Sequence, residues 1–129
     1  MTVIRWNRNR TAEVEALEDV EAVLELAQVD AREHDPAMVE MTHDNGAALA
    51  IGVGRPVSVV TFSRSPDPPY FVSVGEASGD ADDPAVFYYG GHWTEFAARN
   101  GVPADVALMA MRTFFQTGAR PANIAWEEE

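Results

Sequence analysis

Apolar and polar positions change period several times along the chain, and each change marks an element. Thr2 to Trp6 and Ala12 to Leu17 alternate around the polar connection Asn7-Arg8-Asn9-Arg10, which predicts a short opening hairpin. The alternative at this end is one strand and an early helix start. From Glu18 the period lengthens. Val20, Leu24, Ala27 and Ala31 recur at helical spacing, while Glu18, Glu21 and Glu25 fall on another face. Acids in the first turn suit the positive end of a helix, and Pro36 disfavours helix at Asp35, so the segment ends there.

Met38 to His43 and Ala47 to Val53 flank Asp44-Asn45-Gly46, and Asn-Gly between apolar runs predicts an antiparallel hairpin. Gly54-Arg55-Pro56 is a further turn, Val57 to Ser63 a strand, the stretch with Pro66, Pro68 and Pro69 a loop, and Tyr70 to Val74 a strand again. Together they read as a meander. Ala85 to Tyr89 and His92 to Phe96 flank Gly90-Gly91, which supplies the positive φ angles of a tight turn. That register sets Tyr88 opposite Trp93 and Val86 opposite Glu95 on one face, with Ala85, Phe87 and Phe96 on the other. Either the aromatic face is a recognition surface or a helix covers it.

Pro103 suits the first turn of a second helix and Gly118 its C-terminal cap. Between them only Asp105, Arg112 and Gln116 form a polar stripe, so this helix is expected to be buried on several sides. Ala122 to Trp126, entered through Pro121, predicts a last strand. The expected fold is a single α+β domain over residues 1–129, with a mostly antiparallel sheet of about seven or eight strands and two packed helices. The element order is roughly ββαββββββαβ.

Composition narrows the function. The chain has 129 residues, 47% apolar, enough for an ordinary core without disulfides or a structural metal. It has no cysteine, which removes thiolate zinc sites, iron–sulfur clusters and cysteine nucleophiles. No apolar run approaches the roughly 20 residues of a membrane span, and no secretory signal pattern opens the chain. The cytoplasm is therefore the expected compartment. A net charge of -12 argues against nucleic acid as a partner, because phosphates need a basic surface. The acids are concentrated early, with eleven against Arg32 alone in residues 11–44. Glu76, Asp80, Asp82 and Asp83 form a second cluster in a loop-like stretch, and Glu127-Glu128-Glu129 a third.

Candidate chemistry is sparse. His34, His43 and His92 lack metal-ligand spacing. Gly52-Val53-Gly54 runs into a proline turn rather than a helix, so the geometry that cradles phosphates is missing. Asp80-Ala81-Asp82-Asp83 begins like a calcium loop but lacks the glycine at the sixth loop position and the glutamate at the twelfth. No Ser–His pairing or Gly-x-Ser-x-Gly turn is visible. These absences favour a binding protein without cofactor over an enzyme.

Three segments of the C-terminal third carry a resemblance: Tyr89-Gly90-Gly91-His92-Trp93-Thr94-Glu95-Phe96, Phe114-Phe115-Gln116-Thr117-Gly118-Ala119-Arg120-Pro121, and Ile124-Ala125-Trp126-Glu127. With the strand Leu49-Ala50-Ile51-Gly52-Val53-Gly54 and the helix from Glu18, they resemble the first family of immunity proteins of bacterial polymorphic toxin systems. Such proteins are small, intracellular and α+β, and have no enzymatic activity. They are encoded beside secreted toxins, commonly nucleic-acid deaminases, including those acting on double-stranded DNA. The resemblance implies tight binding to a cognate toxin and occlusion of its active site.

A basic substrate groove on such a toxin would suit an acidic inhibitor. The expected contact surface is Glu76, Asp80, Asp82 and Asp83 with the adjoining Tyr88, His92 and Trp93. The Glu18, Glu21 and Glu25 stripe is the second choice and the Glu127–Glu129 run, read as a solvated tail, the third. Gly118 and Trp126 are assigned to the fold, Trp126 with an indole N–H that needs a partner. Two other classes compete. One is a small-molecule-binding or catalytic domain using His92 and Glu95, which the register puts on opposite faces. The other is an assembly subunit dimerising through the apolar C-terminal helix; otherwise no homo-oligomer is expected.

Overall fold

Turn chemistry in the sequence is realised as a chain of hairpins in the computed structural model, which describes residues 1–7, 10–75 and 84–129. The first joins β1 (Thr2–Trp6) to β2 (Arg10–Val14), antiparallel. Its second strand ends earlier than expected, and Leu17 opens α1 (Leu17–Glu33) instead of closing the strand. The cause is Asp19, whose Oδ2 accepts hydrogen bonds from the backbone N–H groups of Glu15 and Ala16, each at 3.0 Å. That carboxylate ties down the entry to the helix, as the acid of a capping box does. The helix buries Val20, Val23, Leu24, Ala27 and Ala31, the expected stripe with one addition.

Next come β3 (Ala37–Thr42) and β4 (Ala48–Val53), paired antiparallel around the Asn45-Gly46 turn. Asn45 Oδ1 accepts the Ala47 N–H at 2.9 Å, and its Nδ2 donates to the Gly118 carbonyl at 2.9 Å. The expected strand from Val57 to Ser63 divides at Val59 into β5 (Val57–Ser58) and β6 (Val60–Ser63). There Val59 offers its carbonyl to the Gly52 N–H at 3.0 Å and the Ser58 hydroxyl donates to the Gly52 carbonyl at 2.7 Å. The meander continues through β7 (Tyr70–Val74). The hairpin of β8 (Ala85–Tyr89) and β9 (His92–Phe96) has the expected register, with φ of 58° at Gly90 and 84° at Gly91. A 3₁₀ turn over Ala98–Asn100 leads to β10 (Val102–Pro103), which pairs with β5 in a separate two-stranded ribbon. Then follow α2 (Ala104–Thr117) and β11 (Ala125–Glu128).

The class is α+β, as expected. Among the described residues the main sheet reaches nine strands, ordered β11-β7-β6-β4-β3-β1-β2, with the β8–β9 hairpin attached beside β3. That attachment is the one parallel step, at Ala37 and Tyr88. Both helices pack on one face, where Ile4, Val39, Met41, Leu49, Ile51 and Phe62 meet Leu24, Met111 and Phe114. On the opposite face Met38, Ala50, Val59 and Val72 close around Phe87. Burying that ring contributes about 2–3 kcal/mol. The helix α2 is less enclosed than its apolar circumference implies: Ala107, Ala110, Met111 and Phe114 are buried, but Met109 is 51% exposed. Its neighbours are α1, β4 and the small β5–β10 ribbon, which leave one side open. No helix among the described residues is long and apolar enough to cross a membrane.

The final strand also departs from expectation. It lies further along than Ala122 to Trp126 and takes Glu127 and Glu128 into a pairing with β7, so the acid run is not a free tail. Glu127 Oε1 accepts from the buried Asn100 Nδ2 at 2.9 Å and from Arg99 Nε at 3.2 Å, while the Glu129 N–H donates to the Tyr70 carbonyl at 2.8 Å. Trp126 is half-buried against Phe62, and its indole N–H finds the Pro121 carbonyl at 2.9 Å. Gly118 caps α2 at φ 66°, the role expected of it.

Two outcomes follow from these contacts. A Cβ on Gly52 would stand 2.5 to 2.8 Å from three atoms of the Phe87 ring, so Gly52→Ala is expected to cost about 1–3 kcal/mol in urea unfolding and to shift the β8–β9 amide resonances. The Asp19 carboxyl is held below its ordinary value of 3.8 first by the Glu15 N–H and then by the Ala16 N–H. Its contribution is therefore present above that value and lost as pH falls through the lower folded value. Asp19→Asn should flatten this acid-side loss in urea midpoints measured against pH.

Candidate functional site

Alternation along β8 and β9 sorts their side chains into two sets. Phe87 turns into the core and anchors the hairpin, so Tyr88 and Trp93 emerge together on the other side. Their rings meet edge to face, 5.8 Å between centroids at 88°. Trp93 remains 61% exposed, and its indole N–H donates to Glu95 Oε1 at 3.2 Å. The result is a rigid aromatic plate beside a carboxylate, carried on a two-residue turn.

The helix expected as an alternative cover reaches only the edge of this surface. A groove of about 250 Å³ runs between the end of α1 and the hairpin, lined by Trp6, Asp30, His34, Asp35, Tyr88 and Gly91 among others. Across it Asn7 Nδ2 donates to Asp30 Oδ2 at 3.1 Å, and His34 Nε2 lies 3.7 Å from Asp30 Oδ1. Tyr88 forms one wall of the groove, and Trp93 stands clear of it.

The expected contact set is thus only partly assembled. Tyr88 and Trp93 come together as read from the sequence. His92 does not join them: strand alternation puts it with Thr94 and Phe96 on the opposite side of β9, opposite Tyr89 in the register. His92 and Glu95 accordingly fall on different faces, and no catalytic pair forms from them. Glu76, Asp80, Asp82 and Asp83 lie outside the described residues.

On α1 the acidic stripe divides. Glu21 is claimed by Arg112 of α2 through two hydrogen bonds, Nε to Oε1 and Nη2 to Oε2, the second at 3.1 Å. The Glu21 hydrogen bond raises the Arg112 pKa above its ordinary value. Glu21 therefore holds the two helices together, whereas Glu18 and Glu25 stay exposed. The Glu127 carboxyl is also held low, chiefly by Asn100, with Arg99 adding to the effect.

A second concavity was not expected from the sequence. It measures about 320 Å³ and lies on the sheet face away from the helices, between the strand surface and the hairpin's other side. Glu40, Thr61, Ser63 and Tyr70 form its floor, Tyr89, Thr94 and Phe96 one wall, and Glu129 its rim. The Tyr89 hydroxyl donates to Glu40 Oε2. Burial, and after it the charge of Glu40, pushes the Tyr89 hydroxyl far above its ordinary pKa. The signal in the sequence was slight: an acid within the apolar Met38–Met41 run and a second tyrosine before the glycine pair.

Among the described residues no group of three His, Cys, Asp or Glu side chains is placed to hold a metal ion. His43, for example, lies edge-on to Phe114, with its Nδ1 accepting from the Asn45 N–H at 3.3 Å. The arrangement offers surfaces for docking: an exposed aromatic plate, two concavities and unpaired carboxylates. A search of curated proteins finds no match. The sequence profile of immunity protein Imm1 matches residues 8–128, nearly the whole of the folded domain. The chain is thus a member of the Imm1 family of immunity proteins.

Proposed function

We propose that the protein binds a cognate secreted toxin in the cytoplasm of the producing cell and occludes its active site, and that this toxin is a nucleic-acid deaminase. The observation that carries the reading is Trp93, a large aromatic held in the open by Tyr88 and Glu95 on a hairpin anchored through Phe87. Exposed tryptophan is expensive to leave in water and is the residue type most enriched at binding hot spots. The adjacent Glu95 carboxylate supplies what an apolar plate cannot, a sign of charge that selects a basic partner. An enzyme acting on nucleic acid requires a basic groove for the phosphates, and a net charge of -12 complements such a groove over long range. The Glu76, Asp80, Asp82 and Asp83 cluster, with Glu18 and Glu25 as a further acidic surface, would steer the encounter and raise the association rate.

Capture of the tagged protein from its own host, with mass spectrometry of any stoichiometric partner and a deaminase assay on it, tests this reading. A partner that deaminates nucleic acid and is silenced by the protein is the expected result. Recovery of the protein alone, from lysate shown to contain the neighbouring toxin, would overturn it. In the complex Trp93→Ala is expected to weaken binding by about 30-fold or more, with urea stability lowered by no more than about 1.5 kcal/mol through loss of the Tyr88 ring contact. Reversing charge at Asp80, Asp82 and Asp83 together should slow association and flatten its salt dependence in stopped-flow measurements, with little change in thermal stability.

A further inference from the structure

The sheet face opposite the helices holds a carboxylate in an incomplete arrangement. Glu40 is half-buried, and its Oε2 is engaged by the Tyr89 hydroxyl. Among the described residues no arginine makes an ion pair with it. Arg5 is its cross-strand neighbour on β1, but is exposed and makes no such contact. A carboxylate partly withdrawn from water, with no cation beside it, gains from an incoming opposite charge. The surrounding cavity has room, about 320 Å³, and aromatic lining in Tyr70, Tyr89 and Phe96. Its remaining polar groups are the hydroxyls of Thr61, Ser63 and Thr94, with the Glu129 carboxylate at the rim.

From these features we infer that the pocket is a receptor site for a guanidinium group, supplied by an arginine side chain of the toxin. The identity of that occupant rests on the function proposed above; the chemistry of the pocket does not. Guanidinium fits the lining better than ammonium. Its plane stacks on aromatic rings, and its fork of donors serves a carboxylate and neighbouring hydroxyls at once. The location adds a second point of grip. The β8–β9 hairpin stands between this pocket and the Tyr88–Trp93 plate, so a partner clasping the hairpin tip contacts both of its faces.

The test has two arms. In the first, the free protein is titrated with L-argininamide, and with citrulline amide as a neutral isostere, while backbone amide resonances are followed. Saturable shifts at Thr61, Ser63, Tyr89 and Thr94 with argininamide alone are expected, and their loss in Glu40→Gln. Equal shifts with both compounds, or shifts spread along α1, would overturn the site. If Glu40→Gln fails a thermal-melt check, Glu129→Gln reads the same pocket from its rim and is expected to weaken the response. In the second arm Glu40→Gln should lower affinity for the captured toxin by about 10-fold or more, mainly through faster dissociation. Unchanged toxin affinity overturns the arginine assignment. A localised argininamide response in a protein that captures no toxin would uphold the cation pocket and sink the toxin reading alone.

Discussion

Burial of the β3–β4 hairpin on both faces is the constraint on which the rest of the structure depends. An antiparallel hairpin with one dry face needs one covering layer. Here Val39, Met41, Leu49 and Ile51 require the helices, while Met38 and Ala50 require something on the other side. Phe87 supplies it, and Gly52 leaves the space that the ring occupies. The β8–β9 hairpin is therefore a core element as well as the carrier of the exposed aromatics. The Asn45 turn that joins β3 to β4 also holds the end of α2, because its amide donates to the Gly118 carbonyl. Sheet, helices and hairpin are thus coupled through one pair of strands.

The acids of this chain serve two purposes, and geometry separates them. Asp19 fixes the start of α1, Glu21 pairs the helices through Arg112, and Glu127 joins the last strand to Asn100 and Arg99. These three hold the fold and have little left to offer a partner. Glu18, Glu25 and Glu95 remain on the surface, with Glu95 already beside Trp93. Glu40 belongs to neither class: it faces a cavity, with one oxygen occupied.

Much of the fold was legible because its signals are local. Asn45-Gly46 and Gly90-Gly91 specify turns within two residues, and the α1 stripe repeats from Val20 to Ala31, about three turns. The unread parts depend on residues distant in sequence. Glu127-Glu128-Glu129 looks like a solvated run until Asn100, 27 positions away, is brought to Glu127. Glu40 and Tyr89 meet across 49 positions. The break at Val59 follows from the competing claim of β10 on β5, which no local pattern announces. Within the site, Tyr88 and Trp93 followed directly from hairpin register. His92 adjoins Trp93 along the chain, but alternation assigns it to the other side of β9.

That same alternation separates heredity of fold from heredity of specificity. In the β8–β9 hairpin the inward positions, Phe87 above all, answer to the core. The outward ones, Tyr88, Trp93 and Glu95, carry no comparable duty in the core. The outward set can therefore be changed one residue at a time with the scaffold kept, since neighbouring positions on a strand face different surroundings. The period of two in a pleated strand thus becomes a means of diversification.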